Sequence, residues 1–298
     1  MKNHCFNFLK GICIGIANVI PGFSGGTMAV LLKIYDLFVY AFANIFKEFK
    51  TVVKKCWSLF IGIGVGILLA LITIVKLLEI IPFITIMFFV GLIIGSIPMI
   101  YKKARVGKVK IVDIIFLLLA MALLVVLPFI KTNNDISVTY NFPLYILMFV
   151  LGAISASAMV IPGVSGSLVL MAFGYYTFLM STIKDFLINI FNFSSSNYWN
   201  MFFVILSFAL GMIVGIVFIS KLITLLTKKH PKTVYFTILG LLLASPFSII
   251  YATNSEYIIT YDFTTILFSI ISLAFGVFIV IFSEKISKKK GEHNGDNN

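Results

Sequence analysis

Six segments of this chain stay apolar over about 20 residues, roughly 57–81, 83–101, 111–130, 201–227, 233–252 and 263–283. A helix of about 20 apolar residues matches a hydrocarbon core of about 30 Å. In lipid every backbone N–H and C=O has to be satisfied within the protein, which helices do by themselves. The pattern therefore predicts an all-α integral membrane protein. Composition agrees: 11% of residues are charged, against about 25% in soluble domains.

Two further apolar stretches, 8–46 and 143–183, are interrupted near their first third by IPGFSGG at 20–26 and IPGVSGS at 161–167. A backbone break at membrane depth is tolerated only where it is buried in protein or lines a cavity. Each stretch reads as a broken, re-entrant helical hairpin that enters and leaves on one side. Two complete crossings would be an even number too and would leave the orientation unchanged.

The net charge of +12 does not point to nucleic acid, because Lys and Arg sit in short runs between apolar segments. Lys47, Lys50, Lys54 and Lys55 fill one loop; Lys102, Lys103, Arg105, Lys108 and Lys110 fill another. KKHPK at 228–232 and the lysines of the tail complete the set, while the loops 131–142, 184–200 and 253–262 hold only Lys131 and Lys184. With both hairpins returning to their own side, all the rich loops share one face. The positive-inside rule makes that face cytoplasmic, with both termini on it. The first 30 residues do not read as a cleavable signal, since Pro and Gly break the apolar run and no small-residue cleavage site follows. Residues 284–298, EKISKKKGEHNGDNN, are expected to form a disordered polar tail.

The chain repeats itself. At an offset of 141, Gly11, Ala17, Val19, Ile20, Pro21, Gly22, Ser24, Gly25 and Tyr35 recur as Gly152, Ala158, Val160, Ile161, Pro162, Gly163, Ser165, Gly166 and Tyr176. Gly66 and Lys76 match Gly211 and Lys221 at an offset of 145, and GLIIGS at 91–96 matches GLLLAS at 240–245 at 149. The expected units are 1–142 and 143–283, each one hairpin plus three spans. Three is odd, so the second unit should sit upside down: two inverted-topology repeats, an arrangement that marks secondary transporters.

The paired breaks carry the chemistry. Pro21 and Pro162 lack a backbone donor, and Gly22, Gly25, Gly26, Gly163 and Gly166 allow unusual dihedrals and close approach of a ligand. Ser24, Thr27, Ser165 and Ser167 put hydroxyls at the start of the next helix, where free N–H groups favour an anion such as phosphate. Asn18, whose counterpart is Met159, either bonds the freed carbonyls or a substrate oxygen. Lys76 and Lys221 either snorkel to the interface or offer a cation to a phosphate from each side. Glu79 lies one turn from Lys76, and Asp36 three residues from Lys33. These acids either pair locally or relay a coupling ion. Asp113, at a helix start, reads as an end charge. Cys5, Cys13 and Cys56, and His4, His230 and His293, show no metal spacing.

GICIGIANVIPGFSGGTMAVLLKIYD at 11–36 resembles the opening signature of the PopT-type polyprenyl-phosphate translocases, formerly a bacterial membrane domain of unknown function. SASAMVIPGVSGSLVLMAFGYY at 155–176 fits as its internal partner, and the resemblance runs from about residue 8 to about 283. The family often has a glycine near position 33 together with an acid; this chain keeps Asp36 and carries Lys33. The resemblance implies a lipid substrate, undecaprenyl phosphate, returned from the outer to the inner leaflet as the carrier for cell-wall precursors. It implies no cofactor, with H⁺ and Na⁺ both open as driving ion. Spacing alone supports the wider class, a carrier or channel for a small ion or anion. A membrane-embedded lipid phosphatase would need a nucleophile with a general acid or base, and the spans hold no histidine and few acids.

Overall fold

A computed structural model describes residues 2–19, 24–105, 108–129, 140–189, 197–256, 258–259 and 261–295. Its regular structure is all helical. The order is α1 (Lys2–Val19), α2 (Gly25–Leu31), α3 (Tyr35–Asn44), α4 (Phe49–Ile80), α5 (Pro82–Ala104) and α6 (Ile111–Val126), then α7 (Phe142–Val160), α8 (Gly166–Ala172), α9 (Tyr176–Ile188), α10 (Tyr198–Lys229), α11 (Pro231–Glu256) and α12 (Phe263–Gly295).

Six of these helices are long and apolar enough to cross a membrane: α4, α5, α7, α10, α11 and α12. The number equals the sequence expectation but the membership differs. The helix predicted over 111–130 ends at Val126 and tightens into a 3₁₀ turn at Leu127–Phe129. That turn contains Pro128, which cannot donate the next helical bond. Conversely α7, the first arm of the second broken hairpin, is long enough to cross by itself. After it, α8 and α9 bend by 111° across a short break. The polar tail does not unwind at 284; α12 continues helical through Gly295.

Prolines at the first position of α5 and α11 let one long helix follow another with a single intervening residue, Ile81 or His230. α4 and α10 are both 32 residues, about 48 Å at 1.5 Å per residue, so their ends reach past the hydrocarbon. Large apolar side chains cover the outside, among them Leu119, Phe218, Phe263 and Ile270. In water such a surface would aggregate; in lipid it is the solvated face.

Inside, small residues bring helix backbones together, as lipid-embedded packing requires. Gly11 and Gly15 of α1 lie on Gly62 and Gly66 of α4. A Cβ on Gly62 would strike the Phe8 carbonyl oxygen, and one on Gly66 that of Ile12. In the same way Gly211 and Gly215 of α10 abut the carbonyls of Phe149 and Ala153 in α7. Residue numbers ascend together along both seams, so α1 runs parallel to α4 and α7 to α10. α6 also runs parallel to α11: Asp113 accepts a hydrogen bond from the Thr233 hydroxyl at 2.8 Å, and Gly240 abuts Leu117. α5 runs parallel to α12, with Gly91 on Leu273 and Gly95 on Val277 and Val280. α5 and α11 run antiparallel, for Lys103 near the end of α5 stands over the Tyr235 ring in the second turn of α11, 5.4 Å from its centroid.

These seams correct one sequence alignment. Phe8 and Ile12 correspond to Phe149 and Ala153 at the offset of 141, so Gly62 and Gly66 correspond to Gly211 and Gly215, an offset of 149. The helix limits of α4 and α10 agree with it at both ends. The offset of 145 is one helical turn out of register. Lys76 therefore corresponds to Leu225 and Lys221 to Ile72, and the two lysines are not structural partners.

Candidate functional site

The second interruption lies against the middle of α11. A Cβ on Gly163 would come within 2.9 Å of the Leu241 carbonyl, near the middle of α11. Ser24, Thr27 and Ser165 are all buried. Pro21 and Gly22, named from the sequence, fall outside the described residues.

At the first break Ser24 is the N-cap of α2, with φ −127° and ψ 149°, and its Oγ accepts from the Thr27 N–H at 3.2 Å. Asn18, at the end of α1, accepts from the Gly25 N–H at 2.9 Å. A Cβ at position 25 would come within 2.6 Å of the Asn18 amide oxygen, so glycine is what lets this cap close. The Asn18 oxygen thus serves a freed N–H and not a freed carbonyl.

At the second break the chain turns through Pro162 and Gly163, whose φ of +88° favours glycine. Ser165 is again the N-cap residue, but its side chain caps nothing. It pairs instead with the Ser167 hydroxyl at 2.8 Å. Met159 stands where Asn18 stands in the first half, and a Cβ on Gly166 would come within 2.9 Å of the Met159 Cγ. The start of α8 therefore lacks both side-chain acceptors that close the start of α2. One turn back on α7, the buried Ser155 Oγ has no hydrogen-bond partner among the described residues, and its backbone carbonyl lies 2.8 Å from a Cβ built on Gly166.

The two breaks touch. The Gly163 N–H donates to Thr27 Oγ1 at 2.7 Å, and the Ser24 hydroxyl donates to the Ile161 carbonyl at 3.4 Å. With the Ser24 proton directed to Ile161, the 3.0 Å contact between the two hydroxyls has Thr27 as donor. A chain of bonds then runs from Gly163 through Thr27 and Ser24 to Ile161, across residues more than 130 apart in sequence. Gly26 completes the approach, since a Cβ there would strike the Val160 carbonyl. Sequence reasoning found the hydroxyls and glycines. It missed that their partners are backbone groups of the other break, because a backbone N–H or carbonyl leaves no mark in a sequence.

The charged candidates lie elsewhere. Asp36, Lys76, Glu79 and Lys221 are all exposed. Lys76 and Glu79 sit at the end of α4 opposite Lys50, Lys54 and Lys55, more than 20 residues away, about 30 Å along the helix. Among the described residues no group of three or more His, Cys, Asp or Glu could hold a metal ion.

The arrangement is a set of neutral donors, backbone N–H and hydroxyl, converging where two interrupted helices meet. Such a set suits an anion that has to be held and released, as helix starts and hydroxyls provide charge stabilisation without a fixed counter-charge.

Comparison with known proteins agrees on the class. The model of the VCA0040-like family, described as undecaprenyl phosphate translocase-like, matches residues 14–263. A protein of Vibrio cholerae serotype O1 named polyprenyl-phosphate transporter is 27% identical over 257 residues, covering 82% of this chain and 76% of that one. Another protein of that name, from Staphylococcus aureus, is 28% identical over 256 residues, covering 82% and 85%. No solved structure matches.

Proposed function

The chain belongs to the undecaprenyl phosphate translocase-like family, and from that premise we propose that it returns undecaprenyl phosphate from the outer to the inner leaflet of a bacterial cytoplasmic membrane, for reuse in cell-envelope synthesis. The observation that carries this reading is the direct hydrogen bonding of the two breaks, Gly163 to Thr27 and Ser24 to Ile161. A phosphate oxygen between them replaces Thr27 as acceptor for the Gly163 N–H and takes the hydroxyl protons of Thr27 and Ser24. Ser155, Ser165, Ser167 and the first N–H groups of α8 complete the seat. The prenyl tail stays in lipid while the headgroup crosses, because burying a charged phosphate in hydrocarbon is far costlier than exchanging it between donors.

Alternating exposure needs two halves that move against each other. Support for an inverted repeat over 1–142 and 143–283 comes from the helix directions. α5 and α11 occupy equivalent places at the offset of 149, yet run antiparallel, while α1 with α4 and α7 with α10 keep the same parallel seam. With the lysine-rich loops cytoplasmic, the first break opens toward the cytoplasm and the second outward. Asp36 and Glu79 are the acids available for coupling to H⁺ or Na⁺.

The test uses cells lacking any redundant carrier. Surface-displayed undecaprenyl phosphate is measured with a labelled lipopeptide that binds the phosphate headgroup. Loss of the protein should raise the surface signal, and Ser24→Ala with Ser165→Ala, made at normal levels, should fail to lower it. An unchanged surface signal on loss of the protein would rule out this lipid and leave a carrier for a small anion or ion.

A further inference from the structure

A cavity of about 720 Å³ opens at the lysine-rich end of α4. It is lined by His4 and Asn7 of α1, Leu37 of α3, and Lys50, Thr51, Lys54 and Lys55 of α4. His4 is steadied by Ser58, at 3.4 Å, and by the Trp57 ring, 5.6 Å between centroids. Lys55 stands 5.6 Å from the centroid of the Tyr40 ring, whose hydroxyl donates to Glu48 at 2.7 Å. No carboxylate is among the described residues that line the cavity. It is a cationic, partly enclosed space with a neutral polar floor.

The repeat supplies a control within the same molecule. At the offsets of 141 and 149, Tyr145 and Met148 take the places of His4 and Asn7, and Trp199, Phe203 and Val204 those of Lys50, Lys54 and Lys55. There two of the counterparts pack inward. Met148 and Val204 are fully buried, the Tyr145 and Phe203 rings pack at 6.0 Å, and the Tyr145 hydroxyl donates to Asn200 at 3.1 Å. One half builds a basic vestibule from positions that are aromatic or aliphatic in the other. The positive-inside rule accounts for lysines on this face; what it does not account for is that three of them converge on one cavity with no carboxylate among its described lining residues.

We propose that this cavity receives the phosphate headgroup of the lipid on the lysine-rich face, as a binding site separate from the paired breaks. The ligand class is a lipid phosphate monoester. Three ammonium groups of α4 offer the compact charges that phosphate binds, the His4 imidazole adds a hydrogen-bonding group, and the cavity is larger than a bare phosphate needs. The site holds the arriving headgroup on one face and has no counterpart on the other. The proposal rests on the translocase reading.

The test uses the full-length protein in liposomes with a fluorescent short-chain polyprenyl phosphate. Binding and translocation are both followed, for wild type, for Lys50→Gln/Lys54→Gln/Lys55→Gln and for the corresponding triple Arg variant. All three lysines are exposed, so both variants should fold. Each lysine near an anionic headgroup contributes about fivefold in affinity, so the triple Gln variant should bind on the order of 100-fold more weakly and lose the salt dependence of wild type. The triple Arg variant should stay close to wild type, and millimolar inorganic phosphate should not displace the lipid. Wild-type affinity in the triple Gln variant, with translocation intact in wild type, would overturn the cavity assignment alone. Displacement by inorganic phosphate at equal concentration would reassign the cavity to a soluble ligand and overturn the lipid claim. Absence of both binding and translocation in wild type would sink the translocase reading itself.

Discussion

Among the described residues Lys33 is the one non-glycine residue with positive φ, at 57°. It ends α2 in a Schellman arrangement: its N–H donates to Val30 at 3.1 Å and the Ile34 N–H to Ala29 at 2.9 Å. In the second half Gly174 does the same work at φ 78°, with Gly174 donating to Met171 at 2.9 Å and Tyr175 to Leu170 at 3.0 Å. The backbone is thus the same in both places and only the side chain differs. A side chain in the left-handed region costs about 1–2 kcal/mol. Glycine avoids that cost but returns roughly half of it through a freer unfolded chain. Lys33 is exposed, so its removal sacrifices little packing. Lys33→Gly should therefore stabilise the protein by about 1 kcal/mol, on the order of 2 °C in Tm for a chain of this size. Gly174→Ala should lower Tm by a similar amount. Thermal unfolding of the detergent-purified protein, followed by tryptophan fluorescence, measures both. A Tm for Lys33→Gly equal to or below wild type would refute the strain argument and mean that the lysine side chain has a compensating contact. A higher Tm with slower transport would show that the charge at 33 is kept for function at the expense of stability.

Thr27→Val removes the acceptor of the buried Gly163 N–H and should destabilise by about 1–3 kcal/mol and abolish lipid transport, whereas Thr27→Ser should keep both within a small margin; thermal unfolding and the surface-lipid assay report the two effects. Gly211→Ala places a methyl against the Phe149 carbonyl and should cost about 1–3 kcal/mol as α7 and α10 are forced apart. Gly64→Ala, which meets nothing within 4 Å, should gain up to about 1 kcal/mol, and equal Tm shifts for the two would contradict the parallel seams. Met159→Asn supplies α8 with the cap that Asn18 gives α2 and should raise stability by about 1 kcal/mol. The same change should slow transport, because it occupies N–H groups assigned to the phosphate; faster or unchanged transport would remove α8 from the seat.

Much of the architecture was legible because lipid leaves so few options. Apolar length and the two IPG breaks announce helices and interruptions without any tertiary information. The errors trace to local physics that a hydropathy window does not register. Pro128 shortens α6, and a run of lysines in the tail does not prevent α12 from continuing. The pairing of Lys76 with Lys221 failed for a different reason. In a helix the pattern of apolar residues nearly repeats every turn, so a four-residue slip costs almost no similarity. Only the collision of each glycine with one particular carbonyl fixes the register.

At the candidate site the residues were legible and their partners were not. Hydroxyls and glycines read as an open anion seat, yet α2 closes on itself through Ser24 and Asn18, and Thr27 bridges to the other break. An asymmetry visible in sequence, Asn18 against Met159, leaves the start of α8 without the acceptor that Asn18 gives α2. The same principle operates at the periphery, where His4, Lys50, Lys54 and Lys55 face Tyr145, Trp199, Phe203 and Val204 across the repeat. A repeat protein with identical halves would present a phosphate with equal sites on both faces, and nothing in the protein would distinguish inward from outward. Here Asn18, Lys50, Lys54 and Lys55 of the first half give way to Met159, Trp199, Phe203 and Val204 in the second. A polar preference of this kind does not drive net flow, since a binding site alone cannot move an equilibrium between leaflets. Under the translocation proposed above, it would lengthen the lifetime of the bound headgroup on the lysine-rich face.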